Sequence, residues 1–179
     1  ISMNYVPWIE SQYVDAYAFC HPTRLASYMD DLGVFEAPII TPLGGLSAKA
    51  QASLRNHTVF DFGLSIEDDN VDIFDVGCRL QAPMVAGYAL ALALAGESSQ
   101  ILLAGFDGYD GNVSKIAEMN RCFEQLRYCA PDMRLTSVTP CPYNVQHDSL
   151  YSPRWLEPAS HAFRNNHGTI DHHPRKVSV

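Results

Sequence analysis

Residues 83–105, PMVAGYALALALAGESSQILLAG, decide the fold class of this chain. Pro83 is typical of the first turn of a helix, because the first helical N–H groups have no partner within the helix. The residues after it are apolar on every side, so the sequence predicts a helix that is buried against a sheet and ends at Gly96. Gln100–Gly105 is a continuous apolar run, which is typical of a parallel strand covered on both faces.

Outward from this stretch, short apolar runs alternate with helical patterns. Strands are predicted at residues 13–20, 37–41, 58–66 and 133–139, with an irregular edge strand at 71–78. Helices are predicted at residues 23–33, 47–55 and 112–129, the last capped by Asn112 or Ser114. Gly63 predicts a bulge or a close backbone approach. This alternation predicts an α/β fold, a Rossmann-like three-layer sandwich with a mainly parallel sheet and helices on both faces.

Composition excludes several classes of protein. The 179 residues are 47% hydrophobic and 18% charged, with a formal net charge of −8. Disorder is excluded, and a charged fraction below the usual value of about 25% indicates a surface covered by a partner or by further chain. The acidic balance argues against a nucleic-acid partner. The longest apolar window, residues 82–95, is too short to cross a bilayer, and no signal peptide is recognised.

Charge also divides the chain into two parts. Residues 1–151 hold 8 Lys and Arg against 18 Asp and Glu, whereas residues 152–179 hold 4 against 2. We expect one domain over 1–151 and an extended C-terminal arm over 152–179. Ile1–Asn4 resembles the end of a strand that runs into a loop, which predicts a truncated first strand. The alternative is a native start at Met3 after two added residues.

No metal site is expected. The five cysteines include no CxxC pair and their number is odd, which argues against a disulfide framework and a cysteine zinc site. We interpret Cys122 and Cys129, seven apart, as small hydrophobes on one helix face, and a reducing, cytoplasmic location follows. The acidic run 67–69 lacks EF-hand spacing. The histidines of the arm predict an exposed polar segment rather than a zinc site, and they are His161, His167, His172 and His173.

Candidate ligand-binding residues follow the predicted strands. Ligands of open parallel sheets bind beyond the carboxyl ends of the strands, where connections reverse direction. At these positions the chain changes from apolar residues to polar residues and glycine, a change that the fold alone does not require. The candidates are Asn4, His21, Arg24, Gly44, Gly45, Gly105, Asp107, Tyr109, Thr139 and Tyr143.

Residues 105–111, GFDGYDG, form the sharpest local motif. Its glycines would let backbone N–H groups approach a ligand, and Asp107 would accept a hydrogen bond from a sugar hydroxyl, with the next helix start favouring an anion. The alternative is a Gly/Asp turn whose Asp107 bonds only to backbone. The motif is not GxGxxG, and the chain holds no P-loop, so NAD binding and ATP hydrolysis are not expected.

His21 and Arg24 form a second candidate pair. An imidazole at a strand end and a guanidinium one helical turn later would bind a phosphate or carboxylate, and His21 would also donate or shuttle a proton. In the other interpretation His21 only closes the strand and Arg24 pairs with Asp30 or Asp31.

Four segments together carry a family resemblance. They are DAYAFCHPTRL (15–25), LLAGFDGYDGN (102–112), EMNRCFEQL (118–126) and SVTPCPYNVQHDSLYS (137–152). They resemble the Rossmann-like domain that follows HMG-CoA-lyase-like aldolase domains, of the 4-hydroxy-2-oxovalerate aldolase type, in bacterial surface-polysaccharide proteins. The resemblance covers about residues 4–152 and implies an attached aldolase. A TIM barrel needs about 250 residues, so this chain is expected to have no lyase activity by itself.

The layout is more distantly similar to the CMP-dependent bacterial sialyltransferases. In both, an alanine-rich buried helix leads to a strand that ends Gly-x-Asp-x-Tyr, here Gly105, Asp107 and Tyr109, and a later strand ends near Thr139-Pro140. This similarity implies that Asn4, Gly105, Tyr109 and Thr139 face a CMP-type nucleotide. The chain departs from the pattern at residues 81–84, QAPM, and has no match for the segment with the transferases' catalytic histidine.

Two functions are therefore expected as alternatives. The first is a ligand-binding, glycosyltransferase-like domain for a nucleotide sugar or acidic sugar, which needs no other cofactor and in which His21 is the candidate catalytic base beside Arg24. The second is a non-catalytic accessory domain that regulates an attached aldolase or assembles homo-oligomers.

Overall fold

A computed structural model describes residues 1–28, 33, 35–68, 70–109 and 111–152. Ten strands and four α-helices are present in these ranges. The strands are β1 (Ser2–Met3), β2 (Tyr17–Ala18), β3 (Ile39–Thr41), β4 (Val59–Asp61), β5 (Gly63–Ile66), β6 (Asp72–Phe74), β7 (Gly77–Leu80), β8 (Gln100–Leu103), β9 (Arg134–Ser137) and β10 (Gln146–His147). The helices are α1 (Pro22–Ala26), α2 (Ala48–Ser53), α3 (Val85–Ala95) and α4 (Val113–Cys129).

The described strands form three sheets. The amino-terminal sheet has the order β1-β2-β3-β4, and the carboxy-terminal sheet has the order β10-β9-β8. Every pairing within these two sheets is parallel. The middle sheet has the order β5-β7-β6, in which β7 pairs parallel to β5 and antiparallel to β6. The prediction of an α/β fold rich in parallel strands is confirmed.

Three strand predictions were wrong in detail. Only Tyr17–Ala18 of the run at 13–20 is a strand, because a 3₁₀ helix at Ser11–Tyr13 precedes it. The run at 58–66 divides into β4 and β5, which belong to different sheets, because the chain turns at the junction to bring Gly63 against Gly77. A Cβ on Gly77 would lie 2.8 Å from the carbonyl oxygen of Gly63, so the close approach expected at Gly63 is confirmed. The run at 71–78 is not one edge strand but parts of β6 and β7, and β7 is central in its sheet.

The predicted helix α3 is the centre of the main core. It begins at Val85 after a Met84 cap, so Pro83 lies before the helix and not in its first turn as predicted. It ends at the predicted Gly96, and its residues 86–91 are buried. It packs against β1 and β2 and against β6, β7 and α4. Of the two residues predicted to cap α4, Asn112 is the cap and Ser114 lies within the helix, because the side-chain oxygen of Asn112 accepts a hydrogen bond from the backbone N–H of Lys115 at 3.1 Å.

Apolar side chains cover both faces of the amino-terminal sheet. Ala18 and Ile40 point into the main core with α3 and α4, whereas Tyr17 and Ile39 point into a second core on the opposite face. This alternation is the two-residue period of a strand. Leu25 of α1 and Leu54, just after α2, close the second core. The central strands of this sheet, β2 and β3, therefore have packed residues on each side.

The prediction that both Cys122 and Cys129 pack as small hydrophobes on one face of α4 was wrong for Cys129. Cys122 is buried, but Cys129 is exposed, since it is the last residue of the helix and extends past the core. The Cys129 thiol donates instead to the carbonyl oxygen of Val71 at 3.2 Å. All five cysteines are free thiols. The predicted arm lies outside the described residues apart from Ser152.

Candidate functional site

The structure brings Gly105 and Thr139 together beyond the carboxyl ends of β8 and β9. The backbone N–H of Gly105 donates to the side-chain oxygen Oγ1 of Thr139 at 2.9 Å. The carbonyl oxygen of Thr139 in turn accepts from the hydroxyl of the buried Ser137 at 2.7 Å. Two of the predicted site residues are thus linked, and their positions follow from the parallel pairing of the two strands.

Backbone conformation and packing explain why glycine occupies positions 105, 108 and 111. Gly105, Gly108 and Gly111 all have positive φ, at 71°, 91° and 65°. A Cβ on Gly108 would lie 2.6 Å from Cγ of Pro142, whereas one on Gly105 would meet nothing within 4 Å. Gly108 therefore serves the packing of this loop on the 139–143 loop, and Gly105 leaves open space beside the strand end. Its left-handed conformation favours glycine at that position.

The other three predicted site residues of these loops have different environments. Asp107 is exposed, and its carboxylate has no hydrogen bond to another described residue. Tyr109 is about half exposed. Tyr143 is buried, and its ring packs edge-on against Phe106 and Phe123. Burial is also the main cause that raises the pKa of Tyr143. Asp107 and Tyr109 are therefore accessible to a ligand, and Tyr143 acts chiefly in packing.

Asn4 follows β1 in an unusual conformation. Its φ is 60°, in the left-handed region that non-glycine residues rarely adopt. Its N–H donates to the carbonyl oxygen of Ala18 at 3.0 Å, and its own carbonyl oxygen accepts from the hydroxyl of Ser2 at 3.0 Å. The side-chain oxygen Oδ1 is buried and has no hydrogen-bond partner among the described residues. A buried acceptor without a partner costs about 1–3 kcal/mol.

His21 and Arg24 lie at the end of β2 and in α1. His21 is half-buried, and its carbonyl oxygen accepts from the N–H of Arg24 at 3.1 Å. Arg24 is exposed and makes no ion pair with another described residue. Asp30 and Asp31, its predicted alternative partners, lie outside the described residues. No hydrogen bond joins His21 or Arg24 to the 105–109 loop within the described part of the chain.

The free edges of β1 and β8 face one another across a cleft of about 660 Å³. We call this cleft the trough. Gly105 and Asp107 lie at its carboxyl end, and Met3, which precedes Asn4, lines its opposite wall. The other predicted site residues are not among its lining residues, and they are Asn4, His21, Arg24, Gly44, Gly45, Tyr109, Thr139 and Tyr143. The structure thus places Gly105 and Asp107 in one hollow beside the end of β1, and His21 outside it.

Sequence reasoning missed three residues of this cleft. Trp8, Ile9 and Tyr13 line the trough and are exposed. Trp8 and Ile9 belong to an irregular segment between β1 and β2 without helical or strand periodicity, whereas Tyr13, the first residue of the strand predicted at 13–20, ends a 3₁₀ helix at Ser11–Tyr13. A concentration of large apolar residues in a segment without periodicity was the one signal that could have found Trp8 and Ile9.

The buried cysteines are not nucleophiles in the folded protein. Burial raises the pKa of Cys20, Cys78 and Cys122 to about 12 in each case. Thiolate is the reactive form, so these thiols are inert near neutral pH. Within the described residues, no cluster of three or more His, Cys, Asp or Glu could hold a metal ion. None of the described helices has the length and apolar character to cross a membrane.

A second cleft, of about 550 Å³, lies between α4 and the segment before α3. Its polar lining includes Gln81, Glu118, Arg121 and Gln125. It holds none of the predicted site residues. Charges of both signs line it, so it favours no simple ion.

Comparison with known proteins gave no relative: no family model, curated protein or solved structure matches this chain.

Proposed function

We propose that this chain is a ligand-binding domain of a bacterial carbohydrate-biosynthesis protein. In this proposal a CMP-type nucleotide sugar binds beyond the carboxyl ends of β1 and β8, at Asn4, Gly105 and Asp107. The fold would be a Rossmann-like three-layer sandwich to which the amino-terminal and carboxy-terminal sheets both belong, in a cytoplasmic protein. The wholly parallel pairing of both sheets and the apolar residues on both faces of the amino-terminal sheet support this fold.

The conformation and the unpaired acceptor of Asn4 are the main support for the proposal. A residue that combines backbone strain with an unsatisfied buried acceptor destabilises the folded protein, and such residues cluster at ligand sites. With a rotation of its side chain, the Asn4 amide would meet the amino group of a cytosine or a sugar hydroxyl. Asp107 would accept hydrogen bonds from hydroxyls on the same ligand, because its carboxylate is exposed and has no described partner.

Catalysis would depend on His21 and Arg24. His21 would remove the proton of an acceptor hydroxyl, and Arg24 would stabilise the leaving phosphate. His21 is half-buried and Arg24 is exposed, so both are accessible, but neither lines the trough. Transfer would therefore require a ligand that reaches from Asp107 towards the end of β2.

A thermal-shift titration with CMP, a CMP-sugar and UDP tests the binding. A ligand at 100 times its dissociation constant stabilises the protein by about 2.7 kcal/mol, which raises Tm by about 5–10 °C for a domain of this size. We expect CMP and the CMP-sugar to raise Tm and UDP to raise it less. The absence of a shift with all three would contradict the proposal.

His21→Ala separates binding from catalysis. We expect it to weaken the affinity for a CMP-sugar, with Tyr128→Ala, at an exposed position of α4 that does not line the trough, as the control. Unchanged affinity and unchanged transfer in His21→Ala would remove His21 from the site and leave nucleotide binding intact.

An accessory domain for an aldolase or a homo-oligomer is the second candidate. Phe60, Phe74 and Val76 expose 56%, 49% and 76% of their surface, and none of them lines the trough. Exposed large apolar residues mark a surface covered by another polypeptide where they form one contiguous patch. Sedimentation velocity tests it: a stable dimer that Phe60→Ser dissociates, together with no nucleotide binding, would favour this function over the first.

A further inference from the structure

The second cleft, between α4 and the segment before α3, is lined by one face of α4. Ala117, Arg121 and Gln125 follow one another at intervals of four residues, and Glu118 and Cys122 lie beside them. Residues four apart project from the same side of a helix. These side chains therefore line one hollow of about 550 Å³, a size typical of small-molecule sites.

Packed elements form the floor and the other wall of the second cleft. Cys122 is buried, and a Cβ on Gly87 would lie 2.7 Å from its Sγ, so α3 and α4 are already in contact there. Residues 81–84 connect β7 to α3 without helix or strand and form the other wall, where Ala82 and Met84 are apolar. The shape of the cleft thus follows from the packing of α3 on α4.

One free charge of each sign lines the second cleft. Neither Arg121 nor Asp68 makes an ion pair with another described residue. The third charged lining residue, Glu118, is already paired, because its Oε2 accepts a hydrogen bond from Nζ of Lys115 at 2.7 Å. A simple anion would be attracted by Arg121 and repelled by Asp68, and a simple cation would meet the reverse. The two free charges therefore favour a ligand that carries both signs.

Two half-buried amides, Gln81 and Gln125, complete the polar lining. Neither side chain makes a hydrogen bond with another described residue. Each amide has a carbonyl oxygen that accepts and an NH₂ group that donates. A polar ligand can therefore bind them without breaking a contact within the protein, whereas an apolar ligand would bury them at a cost in free energy.

We propose that the second cleft binds a free α-amino acid whose side chain is polar and uncharged. Arg121 binds the carboxylate with two parallel hydrogen bonds, and Asp68 binds the ammonium group. Gln81 and Gln125 bind the polar end of the ligand's side chain. A carboxamide such as that of glutamine matches them, because it too has one acceptor oxygen and a donor NH₂ group. The aliphatic part of the ligand contacts Met84.

The second cleft offers no reactive thiol to a ligand. Burial raises the pKa of Cys122, the one cysteine among the described lining residues, to about 12, so its thiolate is absent near neutral pH. The second cleft also shares no described lining residue with the trough. Amino-acid binding therefore does not depend on nucleotide binding, and each can be tested separately.

Calorimetric titrations with related compounds test the two charges. L-Glutamine carries both charged groups, N-acetyl-L-glutamine lacks the ammonium group, and L-glutaminamide lacks the carboxylate. We expect saturable binding of L-glutamine with a Kd in the millimolar range or below. The two derivatives should bind about tenfold more weakly or worse, since each loses a hydrogen bond between charged groups. L-Alanine should also bind about tenfold more weakly, because it cannot pair with the two amides.

Arg121→Gln and its matched control Arg55→Gln locate the site. Each removes one exposed guanidinium that has no ion pair with a described residue, so neither should change Tm appreciably. We expect Arg121→Gln to weaken the binding of L-glutamine by about tenfold or more and Arg55→Gln to leave it unchanged. In a ¹⁵N-resolved NMR titration of the unsubstituted protein with L-glutamine, the side-chain amides of Gln81 and Gln125 should shift and the Gly105 amide should not.

Each contrary result overturns the proposal. Absence of saturable L-glutamine binding would show that the cleft takes no such amino acid. Equal affinity for either derivative would make it a site for a simple ion, and equal affinity for L-alanine would remove the role of the two amides. Equal affinity in Arg121→Gln would place the binding elsewhere on the chain. The Tm shift with CMP tests the trough independently of all these results.

Discussion

Asn4 and Glu97 are the two described non-glycine residues with positive φ, at 60° and 59°. Glycine adopts this region without the Cβ strain. Asn4→Gly should therefore raise the free energy of unfolding by about 1 kcal/mol, and it also removes the unsatisfied acceptor. The same substitution should abolish the Tm shift produced by CMP. Urea unfolding and thermal shift measure these two opposite effects.

Glu97→Gly is the matched control for this prediction. Glu97 lies just after α3, and its N–H donates to the carbonyl oxygen of Leu94 at 2.9 Å. A glycine there should give similar stabilisation, because glycine is favoured just beyond helix ends, and nucleotide binding should remain. If Asn4→Gly destabilises the protein, or leaves the CMP shift unchanged, Asn4 has a structural role instead of a ligand-binding one.

The buried hydrogen bond of the Tyr88 hydroxyl can be tested by removing this one oxygen atom. Its hydroxyl donates to the carbonyl oxygen of Phe62 at 2.6 Å in the buried core, at the junction of β4 and β5. Tyr88→Phe should lower the free energy of unfolding by about 1–3 kcal/mol, because it leaves this carbonyl without its donor. Chemical denaturation measures the loss. Unchanged stability would mean that the carbonyl finds another partner.

The close packing of α3 against α4 can be tested by a substitution at Gly87. A Cβ on Gly87 would lie 2.7 Å from Sγ of Cys122. Gly87→Ala should therefore destabilise the protein by about 1–3 kcal/mol through overpacking, although alanine is the better helix former by about 1 kcal/mol. Thermal unfolding measures the outcome.

A double-mutant cycle with Cys122→Ala supplies the control. With Sγ absent, the added methyl group has room, and Gly87→Ala should become neutral or stabilising. The two substitutions are then coupled by more than their separate effects, as expected for residues in contact. Destabilisation by Gly87→Ala of the same size in both backgrounds would show that another contact limits the spacing of the helices.

Element type was predictable from the sequence where the pattern was strong. The pattern of residues 83–105 predicted both α3 and β8, and residue type limited the cap of α4 to Asn112 or Ser114. Gly63 indicated a bulge or a close approach within residues 58–66, but the division of this run between two sheets was not predictable, because it depends on the distant Gly77. The short β10 follows a Pro-rich loop and has no apolar alternation that would indicate a strand.

At the scale of the whole molecule, the cysteines report the integrity of the core. Cys20, Cys78 and Cys122 are buried, Cys141 is partly buried, and Cys129 is exposed. We expect a thiol reagent at pH 8 to modify Cys129 and Cys141 in the folded protein and the other three only after unfolding. Mass spectrometry of the labelled peptides distinguishes the two groups. Rapid labelling of Cys78 under native conditions would contradict this packing.

The same thiols predict an alkaline loss of stability. Burial raises their native pKa from 9.0 to about 12, so the unfolded state ionises first as the pH rises. Stability should be unaffected by these groups below about pH 9 and should fall between pH 9 and 12, by about 1.4 kcal/mol per pH unit for each thiol. Cys122→Ala should reduce the slope. A flat profile over this range would refute the prediction.

The candidate site was predictable only in part. That Gly105 and Thr139 meet followed from the rule that parallel strands end at the same edge. The burial of Tyr143 depends on Phe106 and Phe123, which come from separate parts of the chain, so its sequence position alone gave no indication. Nor did local sequence indicate that Trp8 and Tyr13 would lie on the rim of the trough, because that placement depends on where β8 lies.

Ligand binding beyond the ends of β1 and β8 is tested most directly by a ¹⁵N-resolved NMR titration of the chain with CMP. We predict saturable shifts of the Asn4 side-chain amide and of the Gly105 and Asp107 backbone amides, with one common dissociation constant. The Glu97 amide, at the far end of α3, should not move. Shifts absent from Asn4 and Gly105 at millimolar CMP, or confined to α4 and Gln81, would contradict the proposed site.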